Sequence, residues 1–130
     1  MSDNLISRQD LEFVLYDVLK ADALVNTPRY AAHDRNVFDS VLDSAEAIAR
    51  DHFVPHAHVG DETEPKFENG AVSIIPEVKA ALDVYIRAGL MGATFDEEQG
   101  GLQLPVIIGQ ACQAIFSSAN ISTTAYPFLT

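Results

Sequence analysis

The side chains able to do chemistry fall into a few groups. Three histidines, His52, His56 and His58, lie among Asp51, Asp61 and Glu62, and these are residue types that can ligate a divalent metal. The four-residue spacing of His52 and His56 puts two imidazoles on one helical face. Pro55 interrupts that helix, however, and no glutamate follows the first histidine as the metallopeptidase pattern requires. They read more simply as polar residues at a helix end. His33-Asp34 reads as a loop or capping pair, because general base work demands a positioned partner. Cys112 could be a nucleophile, but it lies in the most apolar stretch of the chain, where desolvation suppresses the thiolate. Asp96-Glu97-Glu98 could supply an acid or base if one carboxylate were buried; three adjacent carboxylates fit a solvated loop better. Gly89-x-x-Gly92 and Gly100-Gly101 lack the preceding strand and helix offset of a phosphate loop. Ser117, Ser118 and Ser122 lack the context of a nucleophile elbow. The chain therefore offers no complete catalytic constellation and no metal set.

Behind these residues stand amphipathic segments. Ser7-Arg8-Gln9-Asp10 is a capping-box-like start, and Leu11, Val14, Leu15, Val18 and Leu19 then recur at helical spacing. This predicts a helix to about Leu24, broken by Asn26-Thr27-Pro28. Asp34 caps a second helix, with a stripe of Val37, Phe38, Val41, Leu42, Ala45, Ile48 and Ala49 running to Phe53. Pro55 ends or bends it, and the next dozen residues read as loop. Lys66-Phe67-Glu68 and Ala71-Val72-Ser73 flank Asn69-Gly70, which suits a type I′ turn. Two such short strands need a helical surface to lie on. Pro76 opens a third helix, with Val78, Leu82, Tyr85 and Ile86 on one face, closed at Gly89. After the glycine-rich crossing, Pro105 opens a fourth, apolar around much of its circumference and therefore central: Val106, Ile107, Ile108, Ala111, Cys112, Ile115, Phe116 and Ala119. Asn120 to Tyr126 is rich in Ser and Thr, and Pro127 to Thr130 reads as the first turn of a further helix. The expected fold is all-α, a bundle of four main helices with a minor β-hairpin, as a single domain over residues 1–130.

Composition narrows the partners. Nineteen acidic and eight basic residues give a formal charge of −11, which repels nucleic-acid phosphates and anionic lipid. With 48% hydrophobic residues the chain can bury a core, yet no apolar run approaches the span of a bilayer. A single cysteine allows no internal disulfide, and the N-terminus lacks a basic start followed by an apolar core. A cytoplasmic location is the expectation.

The glycine crossing also carries a likeness. Gly89-Leu90-Met91-Gly92, followed by Glu97-Glu98-Gln99-Gly100-Gly101-Leu102-Gln103-Leu104, resembles a segment of the N-terminal helical domain of acyl-CoA dehydrogenases. Asp96 stands where that pattern has proline, Gln99 where it has tyrosine and Gln103 where it has glycine. Ala114-Ile115 stands where many members have two glutamates. Arg8 to Val18, Pro28-Arg29-Tyr30 with His33-Asp34, His52-Phe53-x-Pro55 and Ala119-Asn120 through Thr130 are similar, in order, to the longer subgroup that includes methylmercaptopropionyl-CoA-type dehydrogenases. The resemblance implies a piece of a FAD-dependent enzyme that oxidises an acyl-CoA thioester to the enoyl-CoA, homo-oligomeric when full length. It implies that the catalytic glutamate and the flavin site belong to domains beyond residue 130, so that this chain alone is colourless and inactive. Its own part would be wall to the acyl pocket, expected by position at Leu102, Leu104, Ile108, Cys112 and Phe116. Core packing explains the same five residues equally well, since apolar walls and cores share a composition. The competing reading is a stand-alone helical module that binds a partner helix or a small apolar ligand, against which an apolar helix start at Pro127-Phe128-Leu129-Thr130 counts.

Overall fold

The computed structural model describes residues 5–130. Helix α1, Arg8–Glu12, starts at Ser7, whose hydroxyl accepts from the Asp10 amide at 3.3 Å. It then widens into a π-helical stretch, Phe13–Val18, closed by Leu19 N–H to the Val14 carbonyl at 3.0 Å. Lys20 turns left-handed at φ 53°, and a 3₁₀ segment, Ala21–Asn26, follows. The expected continuous helix to Leu24 is thus corrected. Extra residues per turn shift the face, so Leu11, Leu15, Tyr16 and Ala21 are buried while Val14, Val18 and Leu19 are exposed.

Helix α2, Arg35–Ile48, begins where Asp34 Oδ1 accepts from the Val37 amide at 2.9 Å. Phe38, Leu42, Ala45, Ala49 and Phe53 form its buried stripe, the last two on a second π-helical stretch, Ala49–Phe53. Arg8 binds α1 to α2, its guanidinium 3.0 Å from Asp43 and 3.4 Å from Glu46. Pro55 bends the chain, as expected, but the segment beyond it is not loop. A tight turn, Val54–His56, leads into α3, Ala57–Glu62, because proline is tolerated in a first turn and buried His56 fixes the segment against later residues.

The hairpin forms as read, β1 Lys66–Glu68 against β2 Ala71–Ser73, with Phe67 opposite Val72 and left-handed Asn69 and Gly70 between. It does not lie on the helices: both strands are exposed, Phe67 at 73%. Helix α4, Pro76–Arg87, ends at Gly89 with φ 80°. Along it Val78, Ala81 and Tyr85 are buried and Ile86 is exposed.

The crossing from α4 to α5, Val106–Ala119, depends on a close backbone approach. A Cβ at Gly101 would lie 2.1 Å from the Phe95 carbonyl oxygen, so that strand of chain passes only because residue 101 has no side chain. Helix α5 is indeed the centre, with Ile108, Ile115 and Phe116 at most 1% exposed, but its first residue, Val106, faces outward and is exposed. Helix α6, Ile121–Phe128, corrects the reading of the C-terminal segment: it begins within the Ser/Thr-rich run, and Pro127 falls in its last turn rather than its first. The Ser/Thr-rich run becomes helical because Asn120 caps it, accepting from the Thr123 amide at 3.1 Å. The fold is all-α with a minor hairpin, as the sequence indicates.

Gly101→Ala should therefore destabilise by at least ~2 kcal/mol, the size of an unrelieved core clash. Gly60→Ala is the control, because a Cβ there meets nothing closer than 3.5 Å and alanine favours the helix by about 0.5–1 kcal/mol. Urea midpoints that fall for Gly101→Ala and hold or rise for Gly60→Ala are the expected pair.

Candidate functional site

Asn120 is extended, at φ −162° and ψ 94°, and serves both as the last cap of α5 and the first cap of α6. Its side chain uses both ends of the amide. Oδ1 accepts from Thr123, and Nδ2 donates to the Phe53 carbonyl at 3.0 Å. Thr124 donates its hydroxyl to the Asn120 carbonyl at 2.8 Å, and Thr123 Oγ1 shares a 2.7 Å hydrogen bond with His56 Nε2. All four residues are buried. This array fixes the angle at which α6 leaves α5.

Between those two helices lies a cavity of about 330 Å³, within the range of small-molecule sites. Gln113 and Ser117, one turn apart on α5, line one side; Ile121, Thr124, Ala125, Phe128 and Leu129 line the other. The α6 positions follow helical spacing, so one face of the helix supplies the wall. The lining is mostly carbon, since the Thr124 hydroxyl is engaged by Asn120. One polar atom stands apart: Gln113 Nε2 is shut off from solvent and has no hydrogen-bond partner among the described residues.

The five residues expected at an acyl wall have two kinds of position. Leu104, Ile108, Cys112 and Phe116 are packed in the core, at 1%, 0%, 4% and 0% exposure. Leu102, at 37%, packs on Gly89 and lines a different, open cavity of about 420 Å³ with Val37, Ser40, Val41 and Leu90. Burial pushes the Cys112 thiol up to about 12, so it stays protonated near neutrality. Gln113, Ser117, Thr124 and Ala125, which line the α5–α6 cavity, were not among the residues expected from the sequence. The available signal was Gln113 and Ser117 one turn apart on an otherwise apolar helix.

The other candidates do not converge. Among the described residues no group of three metal-ligating side chains comes together. His56 is buried on Thr123, whereas His58 is on the surface, 3.4 Å from Glu62. His33 Nε2 lies 2.9 Å from the Gln103 carbonyl, and Asp96 pairs with Arg29 at 2.6 Å. No helix among the described residues is long and apolar enough to cross a membrane.

The glycine crossing does not fit a flavin dinucleotide, whose pyrophosphate needs free backbone donors and cations. In the glycine crossing the amides of Gly100, Gly101 and Leu102 donate to Glu97, Asp96 and Gly92 at 2.9, 3.0 and 3.2 Å. The space beside Gly101 holds the Phe95 backbone, and Arg29 is held by Asp96.

Two outcomes follow from the Asn120 array. Asn120→Asp keeps the cap acceptor but removes the donor to Phe53, and should lower stability by about 1–3 kcal/mol, read as a fall in Tm at pH 7. His56 is held below its ordinary pKa by desolvation, with a hydrogen bond to the His52 backbone and then the charge of Glu77 acting the other way. The native state then binds fewer protons than the unfolded chain below about pH 6.5. Stability should fall as the pH drops through that value toward the lower native pKa, and His56→Gln should flatten this slope in urea titrations between pH 7.5 and 5.5.

No family model matches the chain. Over 76 residues, 58% of the chain, it is 33% identical to the 3-methylmercaptopropionyl-CoA dehydrogenase of Ruegeria pomeroyi, of which that stretch covers 13%. The chain is thus similar to a small part of a much longer acyl-CoA dehydrogenase, and this similarity supports that family.

Proposed function

We propose that this chain is the N-terminal helical domain of a FAD-dependent acyl-CoA dehydrogenase of the longer subgroup, and that it supplies wall to the acyl pocket without the catalytic base. The observation that carries the reading is the 33% identity over 76 residues to an enzyme named for acyl-CoA dehydrogenation. The carbon-lined α5–α6 cavity supports it, because an acyl chain needs an apolar, water-excluding wall and little else. So does the surface beside it. Ile121, Phe128 and Leu129 are 66%, 63% and 79% exposed, an apolar rim of the kind that other parts of a larger protein cover.

In this reading Gln113, Ser117, Thr124, Ala125 and Phe128 face the acyl chain. Leu104, Ile108, Cys112 and Phe116 act from behind, holding α5 in place, and Leu102 fixes the crossing before it. The base and the flavin come from the rest of the polypeptide, as does the substrate's CoA contact. A homo-oligomeric, cytoplasmic enzyme belongs to the same proposal.

The test starts with the gene beyond codon 130 and then uses the full-length polypeptide. Ala125→Leu narrows the proposed cavity by three carbons and should lower kcat/KM for long-chain acyl-CoA substrates by about tenfold or more, the usual effect of misfitting methylenes, while sparing short ones. Equal losses for all chain lengths remove α6 from the pocket wall. A stop codon at the end of this reading frame, or a full-length protein that oxidises no acyl-CoA, overturns the proposal in favour of the stand-alone module.

A further inference from the structure

We infer that Asn69 is a site of covalent self-modification: its side-chain amide is lost through attack by the Gly70 backbone nitrogen, which converts the hairpin turn to an isoaspartyl or aspartyl link. The reaction needs an asparagine followed by a residue that leaves its backbone nitrogen unshielded, at a place where the chain can leave its folded geometry cheaply. Residues 69 and 70 meet both demands. Asn69 is exposed, as is every residue from 61 to 74, and the space where a Cβ of residue 70 would stand holds nothing within 4 Å. Glycine has no side chain of its own to cover the nitrogen.

The turn also opens easily. Asn69 and Gly70 are both left-handed, at φ 52° and 78°, a conformation that costs Asn69 free energy because it has a Cβ. Two strands of three residues hold it, and both are exposed along their whole length. Such a pair is marginal in water. The Phe67–Val72 pair across it, 73% and 66% exposed, buries too little carbon to offset the ordering of the chain. In the opened segment the Gly70 nitrogen gives up its proton to hydroxide and attacks Asn69 Cγ. An N–C bond forms, the Cγ–Nδ2 bond breaks, and Nδ2 takes a proton from water and leaves as ammonia, giving a cyclic imide. Water then adds to one of the two imide carbonyls and breaks its bond to nitrogen. The product is aspartate, or isoaspartate where the main chain now runs through Cγ. Isoaspartate carries an extra methylene in the backbone, so the two-residue turn cannot re-form. The pairing of Phe67 with Val72 is then lost, and the link between α3 and α4 becomes open chain of the kind that proteases cut first.

The experiment incubates the whole chain at mildly alkaline pH and follows each asparagine by peptide mapping, with isoaspartate separated from aspartate by chromatography. A synthetic peptide of residues 64–75 gives the rate for the same sequence with no fold to open. Asn69 should convert ahead of Asn26, Asn36 and Asn120, which precede Thr27, Val37 and Ile121, and isoaspartate should be the larger product. Its rate should lie within about tenfold of the peptide's, the ratio that about 1.4 kcal/mol of opening free energy imposes. Gly70→Ala strains the left-handed turn yet should slow the conversion, because the added methyl shields the attacking nitrogen. That fall in rate reports the attack itself, since a loosened turn alone would raise it. Conversion of Asn69 more than about tenfold slower than in the peptide, no faster than at Asn26, or undiminished in Gly70→Ala overturns the inference.

Discussion

The contact on which the rest depends is the aromatic cluster of Phe53, Tyr85 and Phe116. Phe116 lies 4.7 Å from Phe53 and 5.0 Å from Tyr85, the second pair nearly edge to face at 76°. Each ring comes from a different element, so this cluster joins the end of α2, α4 and α5 in one place. Phe53 reaches it from a π-helical turn, which adds a residue to the helix and swings the ring onto α5. The same turn presents the Phe53 carbonyl to Asn120. The direction of α6, and with it one wall of the cavity, therefore follows from where a single phenylalanine packs.

A second constraint holds the glycine crossing. Gln103 has φ 50°, a conformation that costs any residue with a Cβ about 1 kcal/mol or more. It is retained because the side chain is used at both ends: Oε1 accepts from the Glu97 amide at 3.1 Å and Nε2 donates to the Arg29 carbonyl at 2.9 Å. Asp96, at φ −59° and ψ 145°, occupies a conformation that proline would also adopt, and adds the carboxylate that Arg29 binds. Two of the positions where this chain departs from the acyl-CoA dehydrogenase pattern, Asp96 and Gln103, are thus coupled through one arginine. At these positions hydrogen bonds and an ion pair hold the loop.

Legibility in the sequence followed the range of the forces involved. Helices α2, α4 and α5 and the hairpin could be read because a local cap, a local turn and a periodic stripe all agreed: Asp34, Gly89, Asn69-Gly70, and the run from Phe38 to Ala49. The π-helical turns could not, because what favours them is packing at a distance, as at Phe53. Helices α3 and α6 were missed for a related reason. Ser, Thr and Pro argue locally for irregular chain, and the hydrogen bond of His56 to Thr123, 67 residues apart, overrules that argument. At the site the bias ran the other way. Of the five residues expected at an apolar wall, four fill the core and Leu102 is partly exposed, whereas the α5–α6 cavity combines Ile121, Phe128 and Leu129 with the smaller or more polar Gln113, Ser117, Thr124 and Ala125.

That division has a physical logic. A helix of eight residues is too short to hold itself together in water, so α6 depends on what anchors it. Its N-terminal end is fixed by Asn120, Thr123 and His56. Its C-terminal end carries Phe128 and Leu129 largely in the open, and Pro127 removes one backbone donor from that turn. The wall is therefore anchored by side chains where it meets α5, and at the far end, closed by Leu129 N–H to the Ala125 carbonyl at 3.0 Å, an apolar ligand or an apolar cover would bury those rings and methyls. Covering Phe128 and Leu129 there would remove carbon surface from water and so stabilise α6 where its own backbone bonds are fewest.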